Sequence, residues 1–113
     1  MDTVLDELED LRLLDESRFI EAFIRARVAR GQGPVRISHE LRTRGIAEDA
    51  FRPVLAEFDD NWAERAREIV ARKFGGPVTD IKERARRARF LEFRGFTRAH
   101  IATALAEPGA RRH

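Results

Sequence analysis

The chain repeats one segment of its own sequence at a separation of 50 residues. Residues 41–57, "LRTRGIAEDAFRPVLAE", align without a gap to residues 91–107, "LEFRGFTRAHIATALAE". The identical positions are Leu41/Leu91, Arg44/Arg94, Gly45/Gly95, Leu55/Leu105, Ala56/Ala106 and Glu57/Glu107. Such a repeat predicts similar units that stack, because each unit buries only part of its apolar stripe and needs a neighbour to cover the rest.

Apolar spacing predicts three helices in the first copy. The first covers residues 17–30 and ends at Gly31 and Gly33, the second follows Pro34 and ends at Gly45, and the third begins soon after. The side chains expected to be buried are Phe19, Ile20, Phe23, Ile24, Val28, Val35, Ile37, Leu41, Ala50, Phe51, Val54, Leu55 and Phe58.

The second copy keeps this order but changes one spacing. Its first stripe consists of Trp62, Ala66, Ile69, Val70 and Phe74, and its last helix follows Gly95 and includes Leu105. Pro34 lies 7 residues before Leu41, whereas Pro77 lies 14 residues before Leu91. The middle helix of the second copy is therefore expected to be 7 residues, about two turns, longer. Asp80 followed by Glu83 resembles a capping box at its start.

The predicted fold is all-α, with tandem three-helix repeats stacked into an elongated array whose curvature is left open. "VLDE" at residues 4–7 matches "VLAE" at residues 54–57, so the first 14 residues are expected to be the terminal helix of a truncated preceding repeat. Complete repeats are expected at 15–58 and 59–107, the second with the lengthened middle helix. Residues 108–113 are expected to form a flexible tail.

Charge is distributed unevenly along the chain. Residues 1–60 carry 9 Arg against 14 Asp and Glu, and residues 61–113 carry 13 Lys and Arg against 6 Asp and Glu. In residues 80–96 the basic side chains form two helical stripes on either side of Ile81. Recognition of an acidic protein surface or of phosphate is one interpretation, and a solvated helix is the other. The predicted partner-binding residues are Lys82, Arg84, Arg86, Arg87, Arg89 and Arg98.

Arg44 and Arg94 each precede a glycine that is expected to end a helix, and we expect both to cap helix carbonyl groups. Phe19, Phe23 and Trp62 could stack on nucleotide bases, but their helical spacing favours core packing. Phe90 is left open between these roles.

The inventory of reactive groups argues against catalysis. The chain has no cysteine and only two serines, and His39, His100 and His113 form no pair with metal-ligand spacing. We therefore predict no catalytic, cofactor-binding or metal-binding residue. No apolar run approaches the length of a membrane span, and acidic residues follow Met1, so a cytoplasmic protein is expected.

The helix, glycine turn and helix of residues 41–55 also resemble a DNA-reading helix-turn-helix. Glu48 and Asp49 would repel phosphate at the start of its second helix. Thr97, Arg98 and His100 in the second copy are more suitable, so sequence-general DNA contact through the C-terminal half is left open.

The ordered pattern F-x3-F-x3-R, G-x-G-P and L-x2-R-G-[IF]-x4-[FI]-x3-L resembles the RecX family of bacterial recombination regulators. The residues that carry the resemblance are Phe19, Phe23, Arg27, Gly31, Gly33, Leu41, Arg44, Gly45, Ile46, Leu55, Trp62, Gly76, Leu91, Arg94, Gly95, Phe96, Ile101 and Leu105. The family usually has three such units, of which only the end of the first is expected here.

The resemblance implies a non-enzymatic regulator that binds the RecA recombinase filament. Such proteins suppress its ATPase, strand-exchange and coprotease activities and thereby modulate recombinational DNA repair and the SOS response. The resemblance implies no cofactor, membrane or small-molecule substrate, and a monomer is expected. The alternative is a direct, sequence-general DNA-binding module that affects recombination indirectly.

Overall fold

A computed structural model describes the backbone of residues 2–58 and 61–106, and the side chains from residue 15 onward within those ranges. These residues form six helices and no strand. The helices are α1 (Asp2–Ala29), α2 (Pro34–Thr43), α3 (Glu48–Ala56), α4 (Trp62–Phe74), α5 (Ile81–Arg94) and α6 (Arg98–Leu105). Two three-helix units follow one another in an elongated body of 68 × 26 × 19 Å, which confirms the predicted all-α tandem repeat.

Two of the predicted segment limits can be compared with the described residues. Helix α1 continues through residue 14 without a break, so the predicted limit between residues 14 and 15 falls inside a helix. The predicted tail at 108–113 lies outside the described residues.

One hydrophobic core runs through both units. Buried residues of the first unit include Ile24, Ile37 and Phe51, and Leu91 and Ile101 contribute from the second. The predicted structural positions Phe23, Leu55, Trp62 and Leu105 are also buried, and Gly45 and Gly95 have φ of +85° and +99° at the helix ends, as expected for C-terminal caps. The apolar spacing therefore identified most of the core.

Phe19 and Val35 correct that prediction, because they are 42% and 51% exposed. Val35 lies two residues from the buried Ile37, which places it on the opposite side of α2. Phe19 corresponds to Trp62, which Phe58 covers from four residues upstream at a centroid distance of 6.3 Å. The residue four positions before Phe19 is Asp15, which supplies no comparable apolar cover.

The middle helix of the second unit is longer than its counterpart by one turn rather than two. Helix α5 has 14 residues and α2 has 10. Helix α2 begins at Pro34 itself, whereas the chain after Pro77 stays outside the helix until Asp80 caps α5. The Asp80 carboxylate accepts a hydrogen bond of 2.8 Å from the backbone N–H of Glu83, so the predicted capping position is correct. Residues 77–80 lie outside the helix. Much of the extra spacing between Pro77 and Leu91 is therefore non-helical chain and not additional helix.

The two units are joined by backbone groups at two glycine turns. The N–H of Gly33 donates to the carbonyl of Arg94 at 2.8 Å, and the N–H of Val35 donates to the carbonyl of Gly95 at 2.9 Å. The start of α2 thus meets the end of α5, and unpaired groups of both helix ends are satisfied. The helix dipoles also meet with opposite partial charges.

This approach leaves no room for side chains. A Cβ atom on Gly33 would lie 2.5 Å from the carbonyl oxygen of Gly95, and one on Gly95 would lie 2.4 Å from the Cβ of Arg36. Gly95 is constrained twice, because its φ of +99° is itself unfavourable for other residues. We call this contact the glycine joint.

The glycine joint predicts different costs for two similar substitutions. Gly45→Ala places a methyl group at φ +85° with no atom within 4 Å, so it should cost only backbone strain, roughly 1 to 2 kcal/mol. Gly95→Ala should cost roughly 1 to 3 kcal/mol more, because its methyl group collides with Arg36. Urea denaturation of both variants measures the difference. Equal losses for the two variants would mean that the units do not touch at Gly95.

Candidate partner-binding surface

The outer side of α5 presents a basic stripe to solvent. Lys82, Arg86 and Arg89 are all exposed, and Phe93 continues the stripe with 78% of its surface accessible. Their spacing of four, three and four residues keeps them on one side of a helix. The guanidinium of Arg36 lies 5.8 Å from the Phe93 ring centroid. An exposed aromatic ring beside arginines is typical of the centre of a protein interface. We call Lys82, Arg86, Arg89 and Phe93 the α5 outer face.

Arg87 does not belong to this surface, and its prediction as a partner-binding residue is wrong. It is 6% exposed, and its Nε donates to the Glu83 carboxylate at 3.0 Å. Its guanidinium lies 5.2 Å from the ring centroid of Phe74 in α4. The rotation of α5 explains this, because Arg87 lies one turn before the buried Leu91 and therefore shares its inward side. The same rotation leaves Ile81 facing solvent.

The remaining predicted contact residues lie apart from the α5 outer face. Arg84 is exposed on α5 but off that stripe, and Arg98 is exposed in the first turn of α6. Arg98 is thus held on a different helix from the other candidates.

Arg44 and Arg94 have different roles despite their equivalent positions. Arg94 donates from NH1 to the backbone carbonyl of Arg30 at 3.1 Å, capping the end of α1 as the sequence suggested. The Arg44 side chain instead lies over aromatic rings, with its guanidinium carbon 5.0 Å from the Phe23 centroid and 5.8 Å from that of Phe19. The expected carbonyl cap is therefore wrong for Arg44.

Arg67 is a capping residue that the sequence did not reveal. From α4 it donates to the carbonyl groups of Thr103 and Ala104 in α6, at 2.9 and 3.4 Å. These acceptors lie 36 and 37 residues away along the chain, and no local spacing links an arginine to carbonyl groups at that distance. Arg67 therefore stabilises the second unit.

One family model matches each of the two units of the chain. The model described as the second three-helix domain of RecX matches residues 15–55, and the model described as the third matches residues 59–105. The chain belongs to the RecX family. It is 47% identical over 104 residues to Regulatory protein RecX of Halorhodospira halophila, covering 91% of this chain and 65% of that relative. It is also 40% identical over 110 residues to the protein of the same name from Pseudomonas savastanoi pv. phaseolicola, covering 96% of this chain and 71% of that relative.

The two units of this RecX chain differ in how many of their cations lie within 4.0 Å of a carboxylate. Among described residues, most arginines of the first unit have a carboxylate within 4.0 Å, as in the pairs Arg27–Glu40 and Arg42–Glu48. Arg52 also binds Glu48, and hydrogen bonds from Arg52 and Arg42 hold the pKa of that carboxyl below its usual value. Most cations of the second unit form no such pair in the described part. They are Arg65, Arg72, Lys73, Lys82, Arg84, Arg89, Arg94 and Arg98.

Other kinds of site find no support in the described part of the chain. No group of three or more His, Asp or Glu residues is placed to hold a metal ion. His39 is exposed on α2, whereas His100 is half-buried with its ring centroid 6.4 Å from that of Trp62. None of the helices in these ranges combines the length and the apolar character needed to cross a membrane.

Two neighbouring arginines provide a matched test, because both pair with Glu83 and lie over the Phe74 ring, but Arg87 is buried and Arg86 is exposed. Arg87→Gln should lower the free energy of unfolding by roughly 1.5 to 3 kcal/mol, the usual value of a hydrogen bond to a charged group. Arg86→Gln removes the same charge from an exposed side chain and should change it by less than about 0.5 kcal/mol. Thermal unfolding followed by circular dichroism compares them. If Arg86→Gln were the more damaging change, α5 would be rotated relative to this structure.

Proposed function

We propose that this RecX chain is a non-enzymatic regulator that binds the RecA recombinase filament through the α5 outer face. Binding would inhibit the ATPase, strand-exchange and coprotease activities of RecA, and would thereby modulate recombinational DNA repair and the SOS response. The proposal includes a monomeric regulator in the cytoplasm. It concerns a chain that spans 65% of the length of its relative from H. halophila.

The observation that carries the proposal is the exposed α5 outer face in a protein whose relatives are named regulatory proteins. Lys82 and Arg89 form no ion pair among the described residues, so an acidic surface would gain their charge without breaking an internal contact. Phe93 supplies apolar area in the same stripe. The elongated body, 68 Å in its longest dimension, suits contact along a filament better than insertion into a pocket.

The alternative function is direct, sequence-general DNA binding that affects recombination indirectly, and the unpaired cations of the second unit favour it. Base reading by α6 is poorly supported, however. The Thr97 hydroxyl accepts a hydrogen bond of 3.1 Å from the N–H of His100 and thereby caps α6, and the His100 ring packs beside Trp62. Of the three residues considered for DNA contact there, only Arg98 is exposed. In α3, the presence of Glu48 and Asp49 in the first turn argues against a recognition helix.

Charge reversal on the α5 outer face tests the RecA contact. Lys82→Glu/Arg89→Glu should weaken binding to DNA-free RecA at least about tenfold, because replacing central interface residues commonly costs 1 kcal/mol or more each. Phe93→Ala should weaken it in the same assay, without loss of stability, since the ring is exposed. Surface plasmon resonance measures binding, and RecA ATPase on single-stranded DNA measures inhibition.

Arg18→Glu/Arg25→Glu is the control for this test, because it makes the same charge change at exposed positions of α1. It should bind RecA like the parent chain. Parent-like binding and inhibition by the Lys82/Arg89 variant would refute the proposed contact. Equal losses in the two double variants would attribute binding to net charge instead of the α5 outer face.

A further inference from the structure

The glycine joint is built from two short sequences, and the chain contains each of them twice. In the joint, the first unit supplies Gly-Pro-Val at residues 33–35, and the second unit supplies Arg94 and Gly95. Gly-Pro-Val recurs at residues 76–78, and Arg-Gly recurs at residues 44–45. Because the start of α2 meets the end of α5, the second copies lie at the helix ends that point away from the joint. The chain thus carries both components of a second joint.

The end of α2 has the conformation that the joint uses at the end of α5. Gly45 has a φ of +85°, close to the +99° of Gly95. At both ends, the N–H group that follows the glycine donates to the carbonyl five residues earlier at 3.1 Å. The carbonyl groups of Arg94 and Gly95 accept hydrogen bonds from the other unit, whereas those of Arg44 and Gly45 accept none from any described residue. These two acceptors are therefore available to a neighbour.

The second Gly-Pro-Val segment offers the matching donors. The N–H groups of Gly76 and Val78 have no acceptor in the described part of the chain. The segment precedes α5 and is not helical, so no helical turn uses these donors. A Cβ atom on Gly76 would meet no atom within 4 Å, whereas one on its counterpart Gly33 would lie 2.5 Å from the carbonyl oxygen of Gly95. The space that the joint fills at Gly33 is therefore open at Gly76.

Two side chains at the outer end of the first unit lack contacts that their counterparts make. Arg94 donates to the carbonyl of Arg30 across the joint at 3.1 Å. Arg44 makes no hydrogen bond or ion pair with any described residue, and its guanidinium lies over aromatic rings. Phe19 is 42% exposed, whereas its counterpart Trp62 is 1% exposed. This end therefore offers a donor and an apolar ring in addition to its two carbonyl groups.

The charges of the two halves favour contact between unlike ends of two chains. Residues 1–60 carry 9 Arg against 14 Asp and Glu, an excess of five negative charges. Residues 61–113 carry 13 Lys and Arg against 6 Asp and Glu, an excess of seven positive charges. The second unit of one copy is thus attracted to the first unit of another, whereas two like ends repel each other.

We propose that copies of this chain bind one another head to tail, with residues 76–78 of one copy docked on residues 44–45 of the next. The contact reproduces the glycine joint between chains. A dilute chain stays monomeric, because joining two copies costs translational and rotational freedom that a joint within one chain does not. Copies held side by side on a common support have a high local concentration and would form a row.

Cross-linking tests this arrangement, because the chain has no cysteine of its own. Across the glycine joint, the guanidinium of Arg36 lies 5.8 Å from the Phe93 ring centroid. The repeat places Thr79 at the position of Arg36 and Thr43 at that of Phe93, and both threonines are exposed. A Thr43→Cys chain mixed with a Thr79→Cys chain should give a covalent dimer with a short bis-maleimide. Neither variant alone should do so, and denaturing electrophoresis measures the yield.

Gly76→Ala, added to the Thr79→Cys chain, should lower the yield at least about fivefold, because overpacking of a close contact commonly costs that much affinity. Its methyl group meets no atom within 4 Å in the free chain, so thermal unfolding should be unchanged. The control mixes Thr43→Cys with Arg98→Cys. Arg98 is exposed and follows the far end of α5, about 20 Å from Thr79. This pair should give no dimer above background.

Three results would overturn the proposal. Equal dimer yields in the single-variant samples and in the mixture would mean that the chains do not meet head to tail. An undiminished yield with Gly76→Ala, or an equal yield in the control pair, would mean that they meet at another surface. No dimer in any mixture would mean that the second Gly-Pro-Val segment does not bind a copy of this chain. RecA is absent from every sample, so these results leave the proposed RecA contact to its own test.

Discussion

Two backbone hydrogen bonds at the glycine joint fix how one three-helix unit sits on the next. The donors are Gly33 and Val35 at the start of α2, and the acceptors are Arg94 and Gly95 at the end of α5. Each helix end thus satisfies groups that its own ladder leaves unpaired. Glycine at both positions allows the main chains to meet directly. The joint itself uses no side chain, and the one side-chain hydrogen bond described beside it runs from Arg94 to the carbonyl of Arg30.

The features that sequence predicted well depend on near neighbours. The buried stripes, the cap at Asp80 and the glycines that end α2 and α5 all follow from residues within about one helical turn. The α5 outer face follows from the same periodicity. These features required no knowledge of how the helices pack together.

The errors arise where distant elements decide the environment. Arg87 is buried because α5 turns it toward Phe74, and a run of charged residues gives no sign of which member faces inward. Arg67, whose capping role was missed, reaches carbonyl groups 36 and 37 residues away. Gly33 was predicted to end a helix, but its contact with Gly95 became visible only when the two units were placed together. The groove between the end of α1, helix α4 and the last turns of α5 was missed for the same reason, since packing and not spacing brings Arg30 and Arg72 together there.

A contact made by backbone atoms also separates two kinds of evolutionary change. Substitutions of most side chains around the glycine joint should alter what the surface recognises without moving the units, because the hydrogen bonds of the joint involve only main-chain groups. Arg94 is the exception, since its side chain also bonds the carbonyl of Arg30 across the units. Changes to the two glycines act in the opposite way and disturb the arrangement of the array itself. A repeat protein built in this manner can acquire new binding partners while keeping its shape.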